Sequence, residues 1–157
     1  MPLYFFNTSA LAKLYRQETG SDFVDRILSE PGSQHLISRL TIVEMESVFA
    51  MKARVGEIDQ PSVLIARRRL KADLGRRRLL VAAVNDEHFR GARQLLFKHG
   101  VIEALSTLDA LQLSVALGLK RAGLATVFVA ADQRLCRVAR LEGLAVTNPE
   151  QPPSIVA

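Results

Sequence analysis

The sequence predicts an α/β fold, a three-layer sandwich around a central parallel sheet of four to five strands. Three observations carry this. Short apolar runs alternate along the chain with longer segments of helical periodicity. The run Thr126 to Ala131 (T-V-F-V-A-A) is apolar throughout, as strands buried on both faces of a parallel sheet are. Glycine or proline punctuates most junctions between runs. A length of 157 residues suits one domain. That domain is expected over residues 1–149, followed by a flexible tail over 150–157, because Pro149 to Ala157 carries three prolines.

Each element has a local reason. Met1 to Asn7 is a short aromatic run ending in a polar residue and reads as a buried strand. Thr8 or Ser9 is placed to cap a following helix, with Leu11, Leu14 and Tyr15 at helical spacing and Gly20 as its stop. Ser21-Asp22 opens a second helix with Phe23, Ile27 and Leu28 as its apolar face. Pro31-Gly32-Ser33 is a turn, and His35 to Ser38 a second strand. A long helix runs from about Leu40 to Val55 and ends at Gly56. Asp59-Gln60-Pro61 starts the next, with Val63, Ala66, Leu70 and Leu74 as its stripe and Gly75 closing it. Leu79 to Val84 is a third strand, and Asn85-Asp86 caps a helix reaching His99. Ser106 to Ala122 is helical, with Leu108, Leu111, Val115 and Leu119 on one face. Thr126 to Ala131 is the fourth strand, Asp132 starts a helix to Leu141, and Ala145 to Thr147 is a short fifth strand.

Composition removes several classes. The one cysteine, Cys136, excludes an intrachain disulfide framework and a cysteine-based zinc cluster, and fits a reducing, cytoplasmic setting. No apolar run approaches the ~18 residues of a membrane span, and the first residues have no signal-peptide pattern. No G-x-G-x-x-G follows the first strand and no G-x-x-x-x-G-K occurs, so dinucleotide and nucleoside-triphosphate binding lose support. His35, His88 and His99 are scattered and read as structural or surface residues. The net charge of +5 allows a polyanionic partner.

In an open parallel sheet, ligands bind beyond the carboxyl ends of the strands, where strand order reverses. The first strand ends at Asn7, and Asp132 follows the fourth. Both would face one crevice if those strands are neighbours. Asp109 sits on a helix in a row with Leu105, Leu113 and Ala116, and Glu44 lies between Leu40 and Val48. A carboxylate on an apolar face is costly unless something pairs with it, and a divalent cation is one such partner. Glu46 has almost equally apolar surroundings, so spacing does not choose between it and Glu44. Three carboxylates and an amide are all oxygen ligands, the chemistry of Mg²⁺ or Mn²⁺. Such an ion activates water and neutralises a leaving oxygen in phosphodiester cleavage. Each residue also has a plainer reading: Asp132 as a helix cap, Asn7 as a turn amide, Asp109 as the partner of a cation such as Lys120.

Four segments resemble the PIN-domain nucleases of the VapC toxin type. F-F-N-T-S-A-L-A-K-L-Y is similar to that family's opening strand, which ends in Asp-Thr-Ser-Ala-Leu. I-S-R-L-T-I-V-E-M-E-S resembles its Thr-x-x-Glu motif and selects Glu44. S-T-L-D-A-L-Q-L-S-V-A-L resembles its Asp-Ala-Leu motif and selects Asp109. V-F-V-A-A-D-Q-R-L resembles its Thr-Ala-Asp motif and selects Asp132. The match runs in order from about residue 3 to residue 149. The resemblance implies a PIN-like fold and a Mg²⁺- or Mn²⁺-dependent endoribonuclease of a toxin–antitoxin system. Asn7, Glu44, Asp109 and Asp132 would be its catalytic and metal-holding residues. It also implies a cognate antitoxin and a homodimer.

Two departures matter. Asn7 stands where the family has its leading Asp; it keeps a carbonyl but adds an N–H₂ donor, which repels a cation. Ala130 stands where a Ser or Thr usually precedes the last acid by two, which removes a supporting hydroxyl. Asn7 is compatible with a weakened nuclease, a binding-only relative, or an introduced disarming substitution. The alternative function is therefore a non-catalytic PIN-like module that holds RNA or protein through a degenerate acidic site. An acid-cluster phosphotransfer domain ranks below both, because none of the first three strands ends in an Asp. Arg67, Arg68, Arg69, Lys71, Arg76, Arg77 and Arg78 crowd one helix and the turn after it. They suit RNA phosphates or an acidic antitoxin segment, and equally a solvated face whose stems cover an apolar stripe.

Overall fold

In a computed structural model that describes residues 1–152, five strands and seven helices alternate. The strands are β1 (Leu3–Phe6), β2 (Gln34–Ser38), β3 (Leu80–Ala82), β4 (Thr126–Val129) and β5 (Ala145–Thr147). The helices are α1 (Thr8–Tyr15), α2 (Ser21–Leu28), α3 (Arg39–Arg54), α4 (Gln60–Gly75), α5 (Asp86–His99), α6 (Thr107–Arg121) and α7 (Gln133–Leu141). All strand pairs are parallel, in the order β3-β2-β1-β4-β5. The expected three-layer α/β sandwich is the one observed.

The pleat explains why the central strands are apolar throughout. Successive side chains point to opposite faces. On β1, Phe6 enters the layer built from α1 to α4, with Leu11, Ile37, Met45, Phe49 and Val129. Leu3 and Phe5 enter the opposite layer, with Leu113, Phe128, Ala130 and Val138. Phe5 and Phe128 are paired in register on neighbouring strands, and their rings stack with centroids 6.0 Å apart.

Three boundaries differ from expectation. Asn7, rather than Thr8 or Ser9, caps α1: the chain turns at the strand end, and Asn7 Oδ1 accepts from Ser9 N at 3.1 Å. That helix stops at Tyr15, because Arg16 is already extended. Gly20 instead begins α2 with φ 91°, where a Cβ would come within 2.8 Å of Pro149 O. β3 is only three residues long, at the edge of the sheet. Leu108, expected on the buried stripe of α6, is exposed at the start of that helix, while residues 110–117 are buried on every side.

Lys13 is buried and pairs with Glu18 at 3.1 Å and Glu150 at 2.8 Å. Of the tail expected to be flexible, residues 153–157 lie outside the described residues. No helix among the described residues is long and apolar enough to cross a membrane.

Candidate functional site

The chain steps outward from β1 to β2 to β3, then returns to place β4 on the other side of β1. Strand order therefore reverses between β1 and β4, and Asn7 and Asp132 follow these two strands. Both cap the next helix. Asn7 Oδ1 accepts from Ser9 N and from Ser9 Oγ, the latter at 2.8 Å. Asp132 Oδ1 accepts from Arg134 N at 2.9 Å and Leu135 N at 3.2 Å. The plain cap reading of Asp132 is thus correct for one of its oxygens; Oδ2 makes no hydrogen bond among the described residues. Ser9 Oγ also accepts from Ala131 N at 3.0 Å, which ties the β1–α1 turn to the β4–α7 turn.

Asp109 lies in the first turn of α6, whose cap Ser106 accepts from Asp109 N at 3.1 Å. Burial pushes its carboxyl above the usual range; Ser106 opposes this, the charges of Asp132 and Glu44 add to it, and the Asn7 amide opposes it. Asp109 and Asp132 line one narrow cleft together with Glu103 and Arg134. Arg137 grips Glu103 in a two-point ion pair, at 2.9 and 3.0 Å, joining the segment before α6 to α7.

Glu44 points inward from α3, where its Oε1 accepts from Gln112 Nε2 at 2.7 Å and Thr8 Oγ1 at 3.0 Å. Glu46 points outward, exposed and paired with Arg67 at 2.9 Å. The two acids that spacing left equivalent are therefore separated by the tertiary structure. Lys120 does not pair with Asp109; its ammonium bonds Gly143 O. Among the described residues, Glu44, Asp109 and Asp132 have no cationic partner within salt-bridge distance.

Asn7 is 3% exposed, and its Nδ2 has no hydrogen-bond partner. The bond from Ser9 N fixes which end of the amide is the oxygen, since a backbone N–H can only donate. The donor end is left beside Asp109, near enough to help hold its charge but short of hydrogen-bond geometry. Among the described residues, no three acids, histidines or cysteines close on a common point. The donor chemistry nevertheless fits a hard divalent cation at three of the four positions: all are carboxylates, unpaired, and mutually repelling at Asp109. Position 7 departs from that chemistry by presenting N–H₂.

Sequence reasoning missed the supporting residues Thr8, Ser9 and Gln112. Gln112 had a visible signal, a polar residue inside A-L-Q-L-S-V-A-L one helical turn beyond Asp109. A hollow of about 250 Å³ lies elsewhere, between α1, α3 and α4. Tyr15, Phe49 and Ile65 line it and it contains no acid, so it is no competitor for acid-dependent chemistry. The basic cluster is also divided. Arg67 and Arg78 are in ion pairs, with Glu46 and Asp73. Arg69 donates to Leu14 O at 2.9 Å and covers the Tyr15 ring. Arg68, Lys71, Arg76 and Arg77 are exposed.

The PIN domain family profile matches residues 4–141. The chain belongs to the PIN-domain family. Solved structures share its fold. VapC20 of Mycobacterium tuberculosis, described as a sarcin-ricin loop cleaving toxin, is 17% identical over 96% of this chain and 99% of its own, with a TM-score of 0.64. VapBC2 of Rickettsia felis, bound to a DNA fragment from its promoter, is 14% identical over 93% and 98%, with a TM-score of 0.63. DNA-bound VapBC of Salmonella typhimurium is 14% identical over 95% and 99%, with a TM-score of 0.61. Among curated proteins, no sequence matches significantly.

Proposed function

We propose that this chain is an endoribonuclease of the VapC toxin type, built to cleave RNA phosphodiesters with Mg²⁺ or Mn²⁺ and impaired by Asn7. The observation that carries the reading is three acids without cationic partners in a PIN domain: Asp109 and Asp132 line one cleft, and the charge of Glu44 also acts on Asp109. These three side chains are the groups that would hold the ion; Asn7, whose carbonyl is taken up by the α1 cap, is the poorest member of the set. When bound, a divalent cation lowers the pKa of water and neutralises charge on phosphate oxygens. Without it a triply negative cluster repels an RNA backbone, so activity is expected to be strictly metal-dependent.

The chain's own residues explain the impairment. Ser9 holds Asn7 so that Oδ1 is consumed by the cap and Nδ2 is left beside Asp109. An Asp here would keep the cap with one oxygen and offer the other to a cation. An antitoxin that covers the site, a homodimer and a cytoplasmic location belong to the same reading; fold neighbours described as VapBC assemblies support the antitoxin.

The test is cleavage of total RNA by the protein and its Asn7→Asp form, with and without Mg²⁺ or Mn²⁺. Metal-dependent cleavage that rises at least ~10-fold in the Asp form is expected. An Asp form that stays inert with both ions sinks the nuclease reading. It would favour the second reading, a module that binds RNA or protein without cutting, which the amide donor at position 7 supports.

A further inference from the structure

We infer that Gln112 is a positioning residue for Glu44: its buried amide takes up one carboxylate oxygen and leaves the other free for a divalent cation. The inference rests on the metal-dependent reading above and concerns a residue that lies outside the acid set.

Gln112 is fully buried in α6. Its Nε2 carries two hydrogens. The two shortest contacts use both, Thr41 Oγ1 at 2.6 Å and Glu44 Oε1 at 2.7 Å. Thr8 adds a hydroxyl donor to the same Glu44 oxygen at 3.0 Å. Oε1 therefore receives two donors, while Oε2 receives none among the described residues. The carboxylate is held by one oxygen only, with its free end available.

The other half of the amide shows that this arrangement is not optimised for stability. Gln112 Oε1 is buried without a partner. An orphaned buried carbonyl is costly, and an apolar side chain of the same shape would avoid it. Asp109 lies three residues earlier on the same helix, so α6 delivers one acid and the amide that orients another. Thr8 follows Asn7 directly, so the β1–α1 turn likewise carries one site residue and one support for Glu44.

A simple polar tie between α1, α3 and α6 predicts a different outcome, and the two are separable. Mn²⁺ binding is measured by calorimetry on full-length Asn7→Asp protein, alone and carrying Gln112→Met. Unfolding of the metal-free proteins in urea is measured alongside. Gln112→Met also takes a donor from Thr41 and Glu44, so some metal-free stability is lost under either account. The positioning role is read from Mn²⁺ binding, which is expected to weaken ~10–100-fold, whereas a simple polar tie lowers stability and leaves the affinity unchanged. Thr8→Val, which removes the second donor without changing shape, is expected to weaken binding less, in the same direction. It carries the decision if Gln112→Met does not fold. Unchanged Mn²⁺ affinity in the variants overturns the positioning role alone. Absence of Mn²⁺ uptake by the Asn7→Asp parent overturns the metal reading and this inference with it.

Discussion

At position 7 a single atom separates two chemistries. Asn and Asp have the same shape, and either can cap α1 through one oxygen accepting from Ser9 N. They differ at the second atom, a hydrogen-bond donor in one and a cation ligand in the other. Because Ser9 fixes the orientation, the difference falls entirely on the acid cluster. Metal-free Asn7→Asp should be less stable than the present form by about 1 kcal/mol, since it adds a fourth like charge. Mn²⁺ should reverse the loss, raising its melting temperature more than that of the Asn form; a melt indifferent to Mn²⁺ would contradict this. Ser9 itself bridges two strand ends through Asn7 Oδ1 and Ala131 N. Ser9→Ala should cost about 1–3 kcal/mol in urea denaturation, because a partly buried N–H loses its acceptor.

Single elements carry their own stability signatures. Arg76 caps the carboxyl end of α4 and the chain then passes through Arg77 at φ 58°, the one left-handed non-glycine residue among those described. This place after a helix usually belongs to glycine, since a Cβ crowds the following carbonyl. Arg77→Gly should therefore hold or raise stability, by at most about 1 kcal/mol, in thermal melts. On β2, His35 is buried, stacks on Tyr4 with ring centroids 5.9 Å apart and donates from Nε2 to Ile27 O at 2.9 Å. Burial pushes its pKa below the ordinary value, against the bond to Ile27 and helped by the charge of Arg78. In the window between the folded and ordinary values, the unfolded chain binds more protons, so stability rises with pH there. Acidification below about pH 6.5 should destabilise the fold by at most ~1.4 kcal/mol per pH unit through this group. Urea melts of His35→Gln between pH 5 and 8 should lose that slope.

Across the whole molecule acids and bases pair at several places, and two sets of charges stand outside those pairs. Asp109 and Asp132 share one cleft without cationic partners, while exposed Arg68, Lys71, Arg76 and Arg77 lie on α4 and the turn after it. With a net charge of +5, RNA affinity should fall with salt, and its salt dependence should weaken when Arg76, Arg77 and Arg78 are changed to Glu. Salt-sensitive binding that survives this charge reversal would remove the segment from RNA recognition.

Much of this molecule is written locally. Strand and helix existence follow from period and punctuation: the unbroken apolar run of Leu3 to Phe6, buried on both faces of the sheet, and the Asp59-Gln60-Pro61 start of α4. Chain order also places Asn7 and Asp132 at strand ends, because a strand followed by a helix must turn there. What the sequence could not contain is adjacency between distant segments. That β4 lies beside β1, that Glu44 rather than Glu46 turns inward, that Ser9 fixes an amide and that Gln112 reaches Glu44 are decided only when the layers close. The physical reason is range: propensity, capping and periodicity act over a helical turn or a strand pair. Which oxygen of a carboxylate stays free depends on donors 36 and 68 residues away along the chain.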